Sequence, residues 1–227
     1  MLSQKLKILI LFLSTIKSYG VFNSIKIFFF EVCGLIYLWD LRSLTFDDEK
    51  SSPYIDSKKS GQYNVPYIPT PYYFLYLIKK MLFQFEIKKI RLIDIGCGYC
   101  RPAKYLAKKF ELSFAGIELS QDIAKKVIDE NNEKFKIYNF NLRDIKKTKS
   151  FFKNNLKKNI NNVIIISDTV EINQINKILK TLDNHNKIIL IFINVKFKKF
   201  KNKKFKVKKT ILFKKNSRNI IFLDNYS

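Results

Sequence analysis

The sequence is poor in glycine, proline and cysteine, with 6, 5 and 3 of them among 227 residues. The cysteines are too few for a disulfide framework and lack the second pair and the histidine partners that a zinc site needs. The single histidine, His185, lies among Asp183, Asn184 and Asn186, which indicates a surface turn. We therefore expect no metal and a reducing compartment, the cytoplasm.

Acidic residues are scarce as well, with 19 Asp and Glu against 43 Lys and Arg, a net charge of +24. Such a charge favours polyanionic neighbours, but it indicates non-specific attraction and not a site. Lysine far outnumbers arginine, the residue better suited to bidentate phosphate and base contacts. We expect no specific nucleic-acid partner and keep an anionic membrane surface as a candidate.

Strands and helices alternate from Arg91 onward, in a chain whose 47% hydrophobic residues are typical of a folded protein. The order predicts an α/β fold in which helices wind a mostly parallel, seven-stranded sheet that ends in an antiparallel hairpin. Strands are predicted over residues 91–95, 113–118, 135–140, 163–166 and 188–195, and the hairpin over 205–213 and 219–223. Helices are predicted over 72–85, 102–110, 121–130 and 171–182.

The strongest motif is a buried strand that ends in Asp94 and a Gly-x-Gly turn at Gly96 and Gly98. Glycine allows the backbone to turn sharply and lets a ligand approach main-chain atoms. The next strand ends in Glu118, about 20 residues after the glycines, where a carboxylate can accept hydrogen bonds from both ribose hydroxyls. The pair of strand ends predicts a nucleoside-containing ligand.

With these residues the chain resembles class I S-adenosylmethionine-dependent methyltransferases over residues 63–224. The resemblance implies S-adenosylmethionine as cofactor, with its methionine part on Asp94, Gly96 and Gly98 and its ribose on Glu118. The final hairpin is shared with that family and not with ordinary nicotinamide-binding folds. DNA base methylation is disfavoured, because the Asn-Pro-Pro-Tyr and Pro-Cys motifs are absent.

A closer likeness concerns Pro66-Tyr67-Ile68-Pro69-Thr70 and Arg101, which are similar to bacterial methyltransferases of unassigned substrate and to membrane-anchored protein-lysine methyltransferases. It implies a cofactor role for Arg101. The usual third glycine is Cys100, which tightens the loop. The adenine contact is ambiguous between Asn141 and Asp144; an amide could serve, because it both donates and accepts.

The residues that would lie beside the methyl acceptor are predicted from the end of the fourth strand. Ser167 should lie beside the cofactor, and Asp168 is the best-placed general base or amine ligand, although a helix N-cap explains it equally well. Tyr67 should lie near the transferred methyl group. We predict in-line methyl transfer to an unidentified acceptor: a protein lysine, a glycan or a small molecule. The rivals are a catalytically degenerate methyltransferase-like binding protein and a basic RNA- or membrane-surface module.

The predicted domains are an apolar helical extension (1–46), a polar linker (47–62) and the methyltransferase domain (63–227). Lys26 and Glu31 interrupt the apolar run from Ile25 to Trp39, which falls short of the ~18 uncharged residues of a membrane-spanning helix. Amphipathic helices that cover the domain or lie on the inner face of a membrane explain the extension better. A signal peptide cleaved after Gly20 ranks second, because secretion would separate the site from a cytosolic cofactor.

The Asp168→Asn variant tests the acceptor-side assignment. It keeps the size and capping ability of the side chain but removes its basicity, so methyl transfer should fall by ~100-fold while cofactor binding and melting temperature stay normal. Single-turnover assays alongside thermal melts measure both. Normal turnover would leave Asp168 as a cap and redirect the search to Tyr67 and Tyr72.

Overall fold

The structure, a computed structural model, describes residues 12–13, 15–38, 70–130, 135–167, 170, 172–182, 187–195, 204–214 and 218–226. These ranges leave out Tyr67, Asp168, the predicted linker, the turn of the final hairpin and residues 1–11 of the predicted extension. The three-part domain division stays a prediction.

The described elements begin with a helix and continue as alternating strands and helices. The helices are α1 (Val21–Leu38), α2 (Tyr72–Gln84), α3 (Arg101–Leu106), α4 (Gln121–Glu130), α5 (Ile145–Asn155) and α6 (Ile172–Thr181). The strands are β1 (Lys89–Ile95), β2 (Glu111–Glu118), β3 (Phe135–Asn139), β4 (Asn161–Ser167), β5 (Ile188–Ile193), β6 (Lys206–Lys214) and β7 (Arg218–Asp224). A short helical segment over residues 15–19 precedes α1.

The seven strands form one sheet in the order β3-β2-β1-β4-β5-β7-β6. The strands β3, β2, β1, β4 and β5 pair in parallel, and β7 runs antiparallel to both of its neighbours. The predicted fold class is confirmed: the sheet is mostly parallel and ends in an antiparallel hairpin. The carboxyl ends of β1, β2 and β4 therefore meet at one edge, where open α/β sheets bind their ligands.

The strand bounds differ from the prediction at their polar ends. β1 and β2 each begin two residues before the predicted start, because Lys89 pairs with Glu111 in register and the two side chains form an exposed ion pair. Hydrophobicity marks only the buried part of a strand, whereas the hydrogen-bonded ladder continues into solvent. The helix α5 had no predicted counterpart, because lysine and asparagine dominate its sequence and few of its residues are apolar.

The central strands are buried on both faces, which explains their continuous apolar sequences. In β5 every residue is buried, and in β4 so are all but the two end residues. A buried arginine on β1 joins the sheet to α5: Arg91 donates to Asn155 O and Oδ1 at 3.0 and 2.6 Å and to Phe114 O at 3.0 Å. Burial lowers the pKa of Arg91, and these acceptors offset the cost of its desolvation.

The N-terminal helix packs on α2 through one face. Its inward side carries buried Ser24, Ile27 and Gly34, and the Tyr72 ring lies directly against Gly34. A Cβ at Gly34 would meet Tyr72 Cδ2 at 2.3 Å, so only glycine permits this approach. No helix among the described residues is long and apolar enough to cross a membrane.

Gly34→Ala should lower the melting temperature, even though alanine is the better helix former. The added methyl overlaps the buried Tyr72 ring, and overpacking of this kind costs about 1–3 kcal/mol, or roughly 2–4 °C for each kcal/mol in a chain of this size. Cys33→Ala, on the exposed neighbouring residue, is the matched control and should melt like the parent. Equal melting of both variants would mean that α1 does not pack on Tyr72 in solution.

Candidate functional site

The loop after β1 takes backbone conformations that favour glycine. Gly96 and Gly98 have φ of 78° and 48°, in the left-handed region. Cys100, the residue before α3, also has a φ of 59°, a conformation that costs a non-glycine residue about 1 kcal/mol or more. The position that commonly holds a third glycine in the resembling family thus keeps the glycine-like conformation with a cysteine in it.

The loop is fastened to the end of β2 by main-chain and side-chain hydrogen bonds. Gly96 N–H and Cys97 N–H both donate to Ile117 O, at 2.8 and 3.0 Å. The Glu118 carboxylate then accepts from Gly98 N–H through Oε2 and from Ser120 N–H through Oε1, each at 2.8 Å. Glu118 therefore joins the glycine loop to the start of α4 and fixes the width of the crevice between β1 and β2.

Asp94 is buried in the same region, with 4% of its surface exposed. Burial, and to a lesser extent the nearby Glu118 charge, raise the pKa of its carboxyl to about 7. The pKa of Glu118 is also raised by burial, against the lowering effect of its hydrogen bonds to backbone N–H groups. Asp94 and Glu118 therefore both resist ionisation. A cation bound between them would favour their charged forms and would itself be stabilised.

The two cysteines of the loop are buried and free, and the contacts of Cys97 are those of packing. A Cβ on Gly116 of β2 would lie 2.5 Å from Cys97 Sγ, so the thiol occupies the space that this glycine leaves. Its hydrogen bond with Cys100 and its burial raise the pKa of the Cys97 thiol well above its ordinary value. A protonated, buried thiol is a poor nucleophile, which favours packing over redox chemistry.

Asn141 and Asp144 both follow β3 and both have local structural roles. Asn141 Oδ1 accepts from Arg143 N–H at 2.9 Å, which closes a turn. Asp144 is the N-cap of α5, since its Oδ1 accepts from Lys147 N–H at 3.0 Å. Their suggested contacts with adenine stay predictions.

Arg101, the first residue of α3, makes its contacts inside the protein. Its Nη1 donates to Glu31 Oε2 at 2.8 Å and to Thr70 O at 3.3 Å, and its guanidinium lies 4.4 Å from the centre of the Tyr72 ring. Only 2% of its side chain is exposed. Its predicted cofactor role is untested. In this structure it links the end of the glycine loop to the N-terminal helix.

Glu31 is the residue of this region that sequence reasoning missed. Besides the pair with Arg101, its Oε1 accepts from Tyr72 N–H at 2.7 Å, at the first residue of α2. One carboxylate thus accepts from the first N–H of α2 and from a buried guanidinium. A lone acid in an apolar helix was the available signal, but its partner lies 70 residues away along the chain.

The other predicted residues are distributed as follows. Ser167 ends β4, half-buried, at the same sheet edge as Glu118. Tyr67 and Asp168 are outside the described residues. Tyr72, the alternative to Tyr67, is fully buried, which removes it as a residue that could touch an acceptor.

No protein-family model matches the sequence, and no curated protein matches it. Among solved structures, Escherichia coli yhhF, described as a candidate methyltransferase, is similar over 67% of this chain and 86% of its own, with 8% identity and a TM-score of 0.51. MtNAS in complex with MTA and tNA matches over 67% of this chain at 16% identity and a TM-score of 0.44. This chain spans 59% of the MtNAS chain.

TrmK of M. capricolum, solved with S-adenosyl-homocysteine, matches over 67% of this chain and 68% of its own, at 15% identity and a TM-score of 0.42. At these identities the comparisons concern the fold alone; of the three structures described, yhhF has a TM-score above 0.5. Together with the strand order, the comparison with yhhF shows that the domain has the Rossmann-like fold of class I methyltransferases.

Asp94→Asn should stabilise the ligand-free protein at about pH 8 and leave it unchanged at about pH 4. With a native pKa of about 7 against an ordinary 3.8, stability falls as pH rises from about 4 to about 7, because the unfolded chain releases this proton while the native protein keeps it. The asparagine amide does not ionise, so the variant avoids this loss of stability. Each kcal/mol regained should raise the melting temperature by roughly 2–4 °C. Melts across this pH range test it, with exposed Asp122→Asn as the control. A difference in melting temperature between variant and parent that is the same at the two pH values would refute the buried-acid assignment.

Proposed function

We propose that this protein binds S-adenosylmethionine at the carboxyl ends of β1, β2 and β4 and transfers its methyl group to an acceptor. The observation that carries the proposal is the bridge from Glu118 to Gly98 N–H and Ser120 N–H, which holds a strand-end acid against a left-handed glycine loop. In a sheet of this strand order, that arrangement is suited to a ribose beside an amino-acid tail.

The charge of the site favours a cationic ligand over a dinucleotide. A pyrophosphate beside the glycine loop would meet Asp94 and Glu118, both of which already resist ionisation. A ligand with a positively charged amino group and a sulfonium would instead stabilise both carboxylates. This argument, independent of the fold comparison, supports S-adenosylmethionine over nicotinamide cofactors.

The residues of the chain then have separate tasks. Each Glu118 oxygen accepts one backbone N–H and keeps a second lone-pair direction for a ribose hydroxyl. Asp94, Gly96 and Gly98 would hold the methionine part of the cofactor, and Asn141 or Asp144 would contact the adenine. Ser167 would lie beside the cofactor, at the rim of the site. The bound cofactor supplies an activated methyl group, so the protein mainly aligns donor and acceptor and, where needed, accepts one proton. Asp168 and Tyr67 are the residues proposed for that side.

The proposal predicts that S-adenosylmethionine raises the melting temperature, as any ligand of the native state does, by about 2.7 kcal/mol of stability at a hundredfold excess over its Kd. Glu118→Ala should abolish this shift by removing the ribose acceptor and the bridge to Gly98. The matched control is Glu111→Ala at the exposed start of the same strand, which should keep it. Calorimetric titration of the three proteins gives the affinities.

An undiminished shift in Glu118→Ala would contradict the ribose assignment, and the absence of any shift in the parent would contradict the function itself. Affinity should also depend on pH. Because the cation lowers the pKa of Asp94 on binding, affinity is full above about pH 7 and declines as pH falls below it.

A further inference from the structure

The outward face of α1 carries a continuous apolar surface. Its six exposed large hydrophobic side chains are Val21, Phe22, Ile25, Phe28, Phe29 and Val32. At 100° per residue they fall within an arc of about 120°, on the side of the helix opposite Ile27 and Gly34. Phe22 and Phe29 are the most exposed of the six, at 83% and 62%. Both sides of this helix are therefore apolar. Ile27 and Gly34 face the domain, whereas on the outward face the Phe12 ring lies edge-on to Phe28, with 6.0 Å between ring centres, and all six side chains stay exposed.

The charges around this face are positive. Lys26 falls at the border of the apolar arc, and exposed Lys17 lies on the helical segment just before α1. The one acid of α1, Glu31, points inward to Arg101 and Tyr72. An apolar stripe with lysines at its border and its acid turned inward is the pattern of a helix that lies in an anionic lipid interface.

We infer that α1 docks this protein on the surface of an anionic bilayer, with Phe22, Ile25 and Phe29 inserted among the lipid chains. The helix would lie parallel to the surface, in keeping with the absence of a membrane-crossing helix among the described residues. A second copy of the chain fits less well, since pairing the faces would bring together the Lys17 and Lys26 charges of two proteins that each carry +24. An anionic surface attracts the same charges.

Vesicle co-sedimentation of the full chain tests this inference. The protein should bind vesicles of phosphatidylcholine with about a third phosphatidylglycerol, bind phosphatidylcholine alone weakly, and lose binding as salt is raised. Phe22→Ser combined with Phe29→Ser should lower the partition coefficient by about a hundredfold without lowering the melting temperature, because both side chains are solvent-exposed in the free protein. Ile128→Ser is the matched control, an exposed apolar residue of α4, which packs on β2 and β3.

A second measurement needs no variant. Cys33 is the exposed cysteine, at the border of the apolar arc, while Cys97 and Cys100 are buried. A polarity-sensitive fluorophore on Cys33 should shift to the blue when anionic vesicles are added and not with phosphatidylcholine alone. Equal binding by the double variant, or an unresponsive Cys33 probe, would overturn the inference. So would a dimer in light scattering that the double variant dissociates, which would assign the face to a second copy.

Discussion

The Glu118 carboxylate is the contact on which the geometry of the site depends. It accepts from the glycine loop on one side and from the start of α4 on the other, so β1 and β2 cannot separate at their carboxyl ends without breaking it. The backbone bonds from Gly96 and Cys97 to Ile117 O fix the loop in the same register. Because Glu118 is tied to the main chain, its free lone pairs point in directions set before any ligand arrives. Such preorganisation lowers the cost of binding.

A second carboxylate, that of Glu31, connects the N-terminal helix to the glycine loop. Glu31 bonds the first residues of α2 and α3, and α3 begins where the glycine loop ends. The helix that the sequence presents as an extension is thus part of the support of the loop. Removing one partner of this pair would leave Arg101, almost fully buried, without its counter-charge, which is far more costly than the loss of an exposed ion pair.

Much of the fold follows from sequence, because parallel strands with helices on both faces are continuously apolar and are separated by recognisable turns. The mostly parallel sheet with its final hairpin, and the placement of Asp94, the glycines and Glu118 at strand ends, followed from that pattern and from the resemblance to a family. The helix α5 did not, because its few apolar residues mark no clear stripe. Glu31 did not either, since in the sequence it only interrupts an apolar run, and its contacts with Tyr72 and Arg101 exist only after folding. Polar groups that act across long separations leave no local pattern.

Cys100 bears on whether the loop belongs to a working enzyme or to a degenerate relative that only binds. A substitution that destroyed the site would let the backbone relax out of the left-handed region, yet Cys100 keeps a φ of 59°. Its neighbours explain how: Cys100 N–H donates to Cys97 O at 2.8 Å, and the side chain is completely buried. Packing around the thiol holds a conformation that cysteine does not favour. The strain is kept at the point where the loop turns to meet Glu118, so the shape of the glycine loop is held by packing as well as by hydrogen bonds.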